Sequence, residues 1–356
     1  MFKDNSNFDI QYFMNSSIDE IDEIIANKDK HIRRMNIPKS DGSLRNIIAP
    51  DNKLKYIQKS IYWKFLKKYK PSDAAHGFVN KRGIVTNARL HVGAMSLGKI
   101  DIKNFFDSIS QDHLKNCLFG NKVICRFCKF YDRMLENGCN PSLYHNKLKD
   151  YEFKCEEIKA VFIPEYCIET GYQSLMTRVI DICTYNGFCA QGFPTSPILA
   201  NLIMRGFDKK LLEHCEKNNI VYTRYADDLT FSSKTINKIE LEKQVKNLAY
   251  QQLWAYKLRP NKKKTKFKSK SGRLKTCGII VNVKTSVPRY DVRIFRAKVH
   301  NATKKNPDQT TKKMLRKLKG WASYLMSIDA YQGKKYMEKL KQFEKEKFGL
   351  KTKGAK

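Results

Sequence analysis

The sequence predicts an α+β protein, and three observations predict it. Tyr225-Ala226-Asp227-Asp228 lies between Val221-Tyr222-Thr223-Arg224 and Leu229-Thr230-Phe231-Ser232-Ser233. Both flanks are rich in β-branched and aromatic residues, as the arms of a hairpin with Ala-Asp near its tip would be. Gly98-Lys99-Ile100-Asp101-Ile102 reads as a buried strand that brings a third carboxylate to its end. Residues 291–349 are predominantly helical in pattern and very basic.

The remaining elements follow in order. Ser17-Ile18-Asp19-Glu20 is a capping box that opens a helix through about Asn27. Asp41-Gly42 marks a turn, and Arg45 to Pro50 reads as a strand ending at proline. A helix from Leu54 to about Tyr69 places Ile57, Ile61, Trp63 and Phe65 on its apolar side and lysines on the other. The loop from Gln191 to Pro197 leads into a helix from Ile198 to about Lys217, with Pro197 favouring its first turn. Beyond the Asp-Asp hairpin come a helix from about Ile236 to Trp254, a Lys-rich loop at 261–270 and a strand pair around Cys277–Val283.

Composition bounds the function. The chain has 356 residues, 41% hydrophobic and 12% aromatic, which suits a folded protein with one large or several smaller cores. Its net charge is +34, and residues 261–356 alone carry 29 Lys and Arg against 6 Asp and Glu. Self-repulsion of that size calls for an anionic partner, nucleic acid first. No long apolar run supports membrane insertion, and Met1-Phe2-Lys3-Asp4-Asn5 lacks the layout of a signal peptide, so a cytoplasmic location is expected. The ten cysteines are then expected as reduced thiols.

Two adjacent carboxylates repel each other and are costly to desolvate unless a cation neutralises them. Hard oxygen ligands suit Mg²⁺ and leave positions for water and phosphate. Asp101 and the hairpin carboxylates, on adjacent strands, can share one metal pair, as two-metal phosphoryl transfer requires.

Tyr225-Ala226-Asp227-Asp228, the loop Gln191-Gly192-x-Pro194-x-Ser196-Pro197, and Ile100-Asp101-Ile102 followed by Phe105-Phe106 resemble the palm of reverse transcriptases in order and spacing. Asn87-Ala88-Arg89-Leu90-His91 and the run Thr223 to Thr230 are similar to those of bacterial retron enzymes. The retron marker Val-Thr-Gly is replaced here by Thr276-Cys277-Gly278, with the glycine alone kept.

The resemblance implies a right-hand polymerase fold of fingers, palm with an antiparallel sheet, and helical thumb. It divides the chain into an N-terminal helical extension (1–38), fingers (39–98), palm (99–117 and 173–284), a Cys-rich insertion (118–172) and a basic thumb (285–356). It assigns Asp101, Asp227 and Asp228 as catalytic carboxylates that hold two Mg²⁺ ions together with Ile102. Phe106 takes the steric-gate position that selects deoxynucleotides, beside Phe105. Lys39, Arg45, Gln191, Gly192 and Lys264 serve the incoming dNTP; a planar guanidinium such as that of Arg45 suits bidentate phosphate contact. Asn87, His91, Lys262, Lys263, Arg316, Lys317 and Lys319 are expected to touch nucleic acid, with Trp321, Tyr324, Leu325 and Tyr331 forming the thumb core.

The implied activity is copying part of a cognate structured non-coding RNA into single-stranded DNA. The resemblance further implies priming from a guanosine 2′-hydroxyl and anti-phage defence with a separate effector protein. The rivals are an abortive-infection or group II intron-derived enzyme and a non-catalytic RNA-binding scaffold. In the insertion, Cys125-x-x-Cys128 with Cys139, His145, Cys155 and Cys167 lacks a second tight pair, so reduced thiols are favoured over zinc. Singly, each residue has an ordinary reading: Asp101 as a helix cap, Phe105-Phe106 as core, His91 as a structural hydrogen-bonding group, Lys262-Lys263-Lys264 as a solvated loop. Their joint order favours the functional one.

Overall fold

Helix α1 (Ile18–Ala26) starts where the capping box predicts, with the Glu20 N–H donating to Ser17 Oγ. The computed structural model describes residues 11, 14–38, 42, 44–119 and 172–349. Strands β1 (Ile32–Pro38) and β2 (Leu44–Pro50) form an antiparallel hairpin. Helix α2 (Asn52–Lys64) follows, capped by Asp51 Oδ1, which accepts from the Leu54 N–H at 2.8 Å. This helix begins two residues earlier than expected and ends at Lys64, followed by a tight turn at Leu66–Lys68. Leu54, Ile57, Ile61 and Phe65 point inward, but Trp63 is 59% exposed and does not belong to the apolar side. The reason is helical spacing: Trp63 lies two turns from exposed Tyr56, not from Ile57.

The chain continues through α3 (Ile84–Leu90), β3 (Ser96–Asp101), α4 (Gln111–Phe119), α5 (Tyr172–Cys183), β4 (Thr184–Tyr185) and β5 (Phe188–Cys189). Then come α6 (Ser196–Lys217), β6 (Val221–Tyr225), β7 (Asp228–Ser233), α7 (Lys238–Ala255), β8 (Lys266–Ser269), β9 (Lys275–Thr276) and β10 (Ile279–Ile280). Three helices close the chain: α8 (Arg289–His300), α9 (Lys312–Ile328) and α10 (Ala330–Phe348).

These elements gather into two units that interleave along the chain. The first comprises Met1–Ser72, Ile102–Lys209 and Gln252–Arg259. In it α5 docks on the N-terminal helices: Arg178 forms a bidentate pair with Asp22 at 2.6 and 2.7 Å, and buried Gln58 donates to the Ile182 carbonyl at 2.8 Å. The second comprises Asp73–Asp101, Lys210–Gln251 and Pro260–Lys356. It is built on a four-stranded antiparallel sheet in the order β6-β7-β3-β8.

Two expectations about the second unit need correction. Residues 266–269, read as part of a Lys-rich loop, form edge strand β8 paired with β3. Alternation decides it: Lys266 and Lys268 face solvent while Phe267 turns inward, and lysines on an edge strand discourage further pairing. Tyr331, expected in the helical core, is 81% exposed. That core instead joins Phe295, Leu315, Ala322, Leu325 and Leu340 to Ala88 of α3 and Leu97 of β3, with Trp321 and Tyr324 packed against it. Phe295 stacks on Trp321 with ring centroids 5.0 Å apart.

The Cys-rich segment, including Cys125, Cys128, Cys139, His145, Cys155 and Cys167, lies outside the described residues, as does Lys39. The described cysteines Cys117, Cys183, Cys189, Cys215 and Cys277 are free thiols. Among the described residues no helix is long and apolar enough to cross a membrane.

Candidate active site

Strand period places the three carboxylates together at one end of the sheet in the second unit. Asp101, the last residue of β3, is paired directly with Asp228, the first residue of β7. Asp228 is paired in turn with Tyr225, and Ala226-Asp227 make the two-residue turn. Ala226 has φ +56°, a left-handed conformation disfavoured for a residue with a Cβ.

The turn is braced from outside. Residues 74–76 run parallel to β6, with the Arg224 N–H donating to the Ala74 carbonyl and the His76 N–H to the Arg224 carbonyl, both at 2.7 Å. The Arg224 side chain is fully buried, and its guanidinium donates to the Ala226 carbonyl at 3.3 Å. A Cβ on Gly77 would lie 2.6 Å from the Ala226 nitrogen. Backbone at that distance cannot yield cheaply, so Gly77→Ala is expected to cost about 1–3 kcal/mol of stability and to displace the turn. Urea unfolding would check it; an unchanged midpoint would remove Gly77 from the support of the hairpin.

The electrostatics are those of crowded acids held by bases. Burial, and next the Asp101 charge, raise the Asp227 pKa above the usual carboxylate range. Burial also raises Asp228, opposed by Lys99, whose Nζ lies 2.6 Å from Asp228 Oδ2. Asp101 accepts from Asn261 Nδ2 at 3.1 Å and pairs with Lys264 at 3.3 Å. Lys99 and Asn261 were not singled out from the sequence. Lys99 could have been, since it sits two residues before Asp101 and therefore on the same face of β3.

These residues fit a divalent cation in donor chemistry: three carboxylates share one end of the sheet, and the ammonium groups of Lys99 and Lys264 pair with two of them. Among the described residues no group of three or more His, Cys, Asp or Glu side chains is positioned to hold a metal ion. Mg²⁺ does not need one, because it keeps several waters and binds through one or two carboxylates plus phosphate.

The same face of the sheet continues into a buried polar network. Thr230 and Ser232 share that face with Asp228, and Thr223 faces them from β6. His91, 1% exposed at the end of α3, bridges the two hairpin strands with Nδ1 at 2.7 Å from Ser232 Oγ and Nε2 at 2.7 Å from Thr223 Oγ1. Burial depresses its pKa to about 3, so the ring is neutral with one donor and one acceptor. Asn87, also fully buried, accepts from Thr276 Oγ1 at 3.3 Å, and Thr276 meets Thr230 at 2.9 Å. Asn87 and His91, expected to touch nucleic acid, instead have their polar atoms inside the protein. Thr276-Cys277-Gly278, at the retron marker position, turns between β9 and β10 with φ +46° and +86° at Cys277 and Gly278. That left-handed second position accounts for the retained glycine.

The other expected residues fall as follows. In the second unit Lys262, Lys263, Arg316 and Lys317 are exposed, while Lys319 is paired with Glu344 at 2.6 Å. In the first unit Ile102 and Phe105 are buried and Phe106 is partly exposed. Arg45 is exposed on β2, and the Ile48 N–H of the same strand donates to the Gln191 carbonyl at 2.8 Å. Gly192 has φ +127°, and a Cβ there would lie 2.5 Å from the Ile48 carbonyl oxygen, so the Gln191–Gly192 loop requires glycine. A cavity of about 340 Å³ in this unit is lined by Asn46, Ile48, Tyr185 and Phe188 among others, but not by Arg45 or Gln191.

Residues 150–281 match the profile of the family described as reverse transcriptase (RNA-dependent DNA polymerase). The sequence is 27% identical over 327 residues to the retron Mx162 reverse transcriptase of Myxococcus xanthus, covering 88% of this chain and 61% of that one. It is 26% identical over 307 residues to the retron Ec86 reverse transcriptase of Escherichia coli, covering 86% and 78%. The matched segment holds the Gln191–Gly192 loop and the Asp227–Asp228 hairpin, and the similarity to retron reverse transcriptases extends over most of the chain. The sequence is also 28% identical over 271 residues to the retron Mx65 reverse transcriptase of Myxococcus xanthus, covering 76% and 56%. The chain thus spans 56–78% of the length of these retron reverse transcriptases. Among solved structures, a telomerase from Candida albicans aligns with a TM-score of 0.44 at 13% identity, over 90% of this chain and 64% of that one.

Proposed function

We propose that the chain is an RNA-directed DNA polymerase of the retron type, using Mg²⁺ and dNTPs. The observation that carries the reading is the register of β3, β6 and β7, which sets Asp101 opposite Asp228 with Asp227 in the adjoining turn. The carboxylates of Asp101, Asp227 and Asp228 would hold two divalent ions, which when bound would neutralise triphosphate charge and activate the primer hydroxyl. Lys99 and Lys264 partly offset the upward pull of burial on Asp228, and Lys264 does the same for Asp227. Lys264, with a side chain 59% exposed, is free to turn toward a departing pyrophosphate. Arg45, Lys39 and the Gln191–Gly192 loop receive the nucleotide, and Phe106 excludes a ribose 2′-hydroxyl.

The exposed bases Lys262, Lys263, Arg316 and Lys317 follow the phosphates of the nucleic acid, a sequence-independent contact that weakens with salt. Similarity to retron enzymes supports the finer reading: the template is part of a structured RNA, priming is from a guanosine 2′-hydroxyl, and the product acts in anti-phage defence with a separate effector. The cellular site is the bacterial cytoplasm.

Incorporation of dNTPs on a primed RNA template tests the polymerase reading, and its absence with Mg²⁺ present would sink it. Sequencing nucleic acid that co-purifies with the protein tests the retron reading, which requires DNA covalently joined to RNA. In the same assay Phe106→Ala is expected to raise ribonucleotide use relative to deoxynucleotide by about tenfold or more, the scale of one steric contact. An unchanged ratio would take the gate role away from Phe106.

A further inference from the structure

Helix α2 turns to solvent an aromatic and basic face that the candidate active site does not use. Tyr56 is 56% exposed and Trp63 59%. They stand seven residues apart, two helical turns, and so share one face at about 10 Å along the axis. Exposed Lys55 and Lys59 flank them, and Lys67 Nζ rests 4.1 Å from the Trp63 ring centroid. Residues 52–70 contain seven lysines and no Asp or Glu. The acids of α1 reach only the edge of this face, where Glu20 and Glu23 pair with Lys53 at 3.1 and 3.6 Å. Asn15 Nδ2 donates to the Tyr56 hydroxyl and so orients that ring.

Solvent-exposed rings interleaved with lysines are the composition of a platform for single-stranded nucleic acid: bases stack on the rings and phosphates meet the ammonium groups. A duplex keeps its base faces stacked inside and cannot use the rings. We propose that this face of α2 binds an unpaired stretch of RNA, stacking bases on Tyr56 and Trp63 with Lys55 and Lys59 on the phosphates. The proposal rests on the reading that the chain works on RNA. At about 3.4 Å per stacked nucleotide, rings about 10 Å apart meet bases about three steps apart. Lys67 leaves the ring for a phosphate at little cost, because a cation–π contact at an exposed site is weak.

The test is fluorescence anisotropy of the full chain with a labelled oligouridylate over a range of salt. Tyr56→Ala and Trp63→Ala are each expected to weaken binding about tenfold, the scale of one stacked base. Lys55→Ala with Lys59→Ala should lower the slope of log affinity against log salt by about 1.4. All four side chains are exposed, and thermal melts of the variants should match the parent. Unchanged affinity in the double ring variant overturns the proposal. So does an equal loss on duplex RNA, a loss confined to a DNA oligonucleotide, or loss of a protein partner with RNA affinity intact. Nucleotide incorporation by the parent protein is measured separately, so its failure strikes the polymerase reading and leaves the α2 result to be judged alone.

Discussion

Asp227→Asn combined with Asp228→Asn is expected to abolish DNA synthesis, lowering incorporation by about 10³-fold or more, while RNA binding stays within a few-fold of the parent. The asymmetry follows from what each group does. An amide oxygen cannot balance the charge of a bound divalent ion, and stabilisation of the reacting phosphate by such ions amounts to several kcal/mol of the barrier. On the proposed reading RNA affinity rests on the Lys and Arg surface, which the double substitution leaves untouched. The variant should also be no less stable than the parent. Both carboxylates sit above their usual pKa range through burial, and Asp227 also through the nearby Asp101 charge, so neutralising them relieves a cost. Incorporation and filter binding on one preparation check both halves. Full synthesis by the double variant would end the metal assignment, and loss of RNA binding in parallel would point to misfolding.

His91→Ala is expected to destabilise the protein by about 3–5 kcal/mol, combining a cavity with two buried hydroxyls, on Thr223 and Ser232, left without their partner. That is a large part of a typical total stability. Because His91 ties β6 to β7 beneath the Asp227 turn, residual folded protein should also synthesise DNA slowly. His91→Gln keeps one donor and one acceptor and should recover part of both losses. The neutral ring carries a pH signature as well. An unfolded histidine takes up its proton near pH 6.5, whereas His91 resists until about 3. The unfolded state therefore binds more protons below 6.5. Stability should fall by about 1.4 kcal/mol for each pH unit from there downward, and His91→Gln should lack this component. His76, depressed to about 4 by burial and then by Arg82, adds to the slope with the same sign. Urea unfolding at pH 7, 6 and 5 measures it; identical slopes in parent and His91→Gln would contradict the clamp.

The candidate site was legible where the chemistry is local. Two carboxylates between β-forming arms mark a hairpin turn, and a short apolar run ending in Asp101 marks its neighbour, because strand period and turn length are short-range properties. Capping at Ser17 was legible for the same reason. Trp63 and Tyr331 were misplaced because aromatic identity says that a ring favours burial, not which neighbour supplies the cover. Strand β8 was missed because its lysines outvoted Phe267, although on an edge strand lysine is what faces out. Arg224 gave no local signal at all: a charged residue in a strand is ordinarily solvated, and here it is fully buried under the turn.

The sequence by itself determined the identity of the three carboxylates, the hairpin that carries two of them and the basic character of residues 261–356, since each rests on residue type and spacing. Only the tertiary structure decided what holds them. Asn87 and His91 sit more than a hundred residues before the strands and turn they bind, as does Gly77 before Ala226, whose backbone it admits. Whether a polar residue faces solvent or the back of the Asp227–Asp228 hairpin depends on which surfaces the fold buries. That is set by packing between distant segments, which no local pattern encodes.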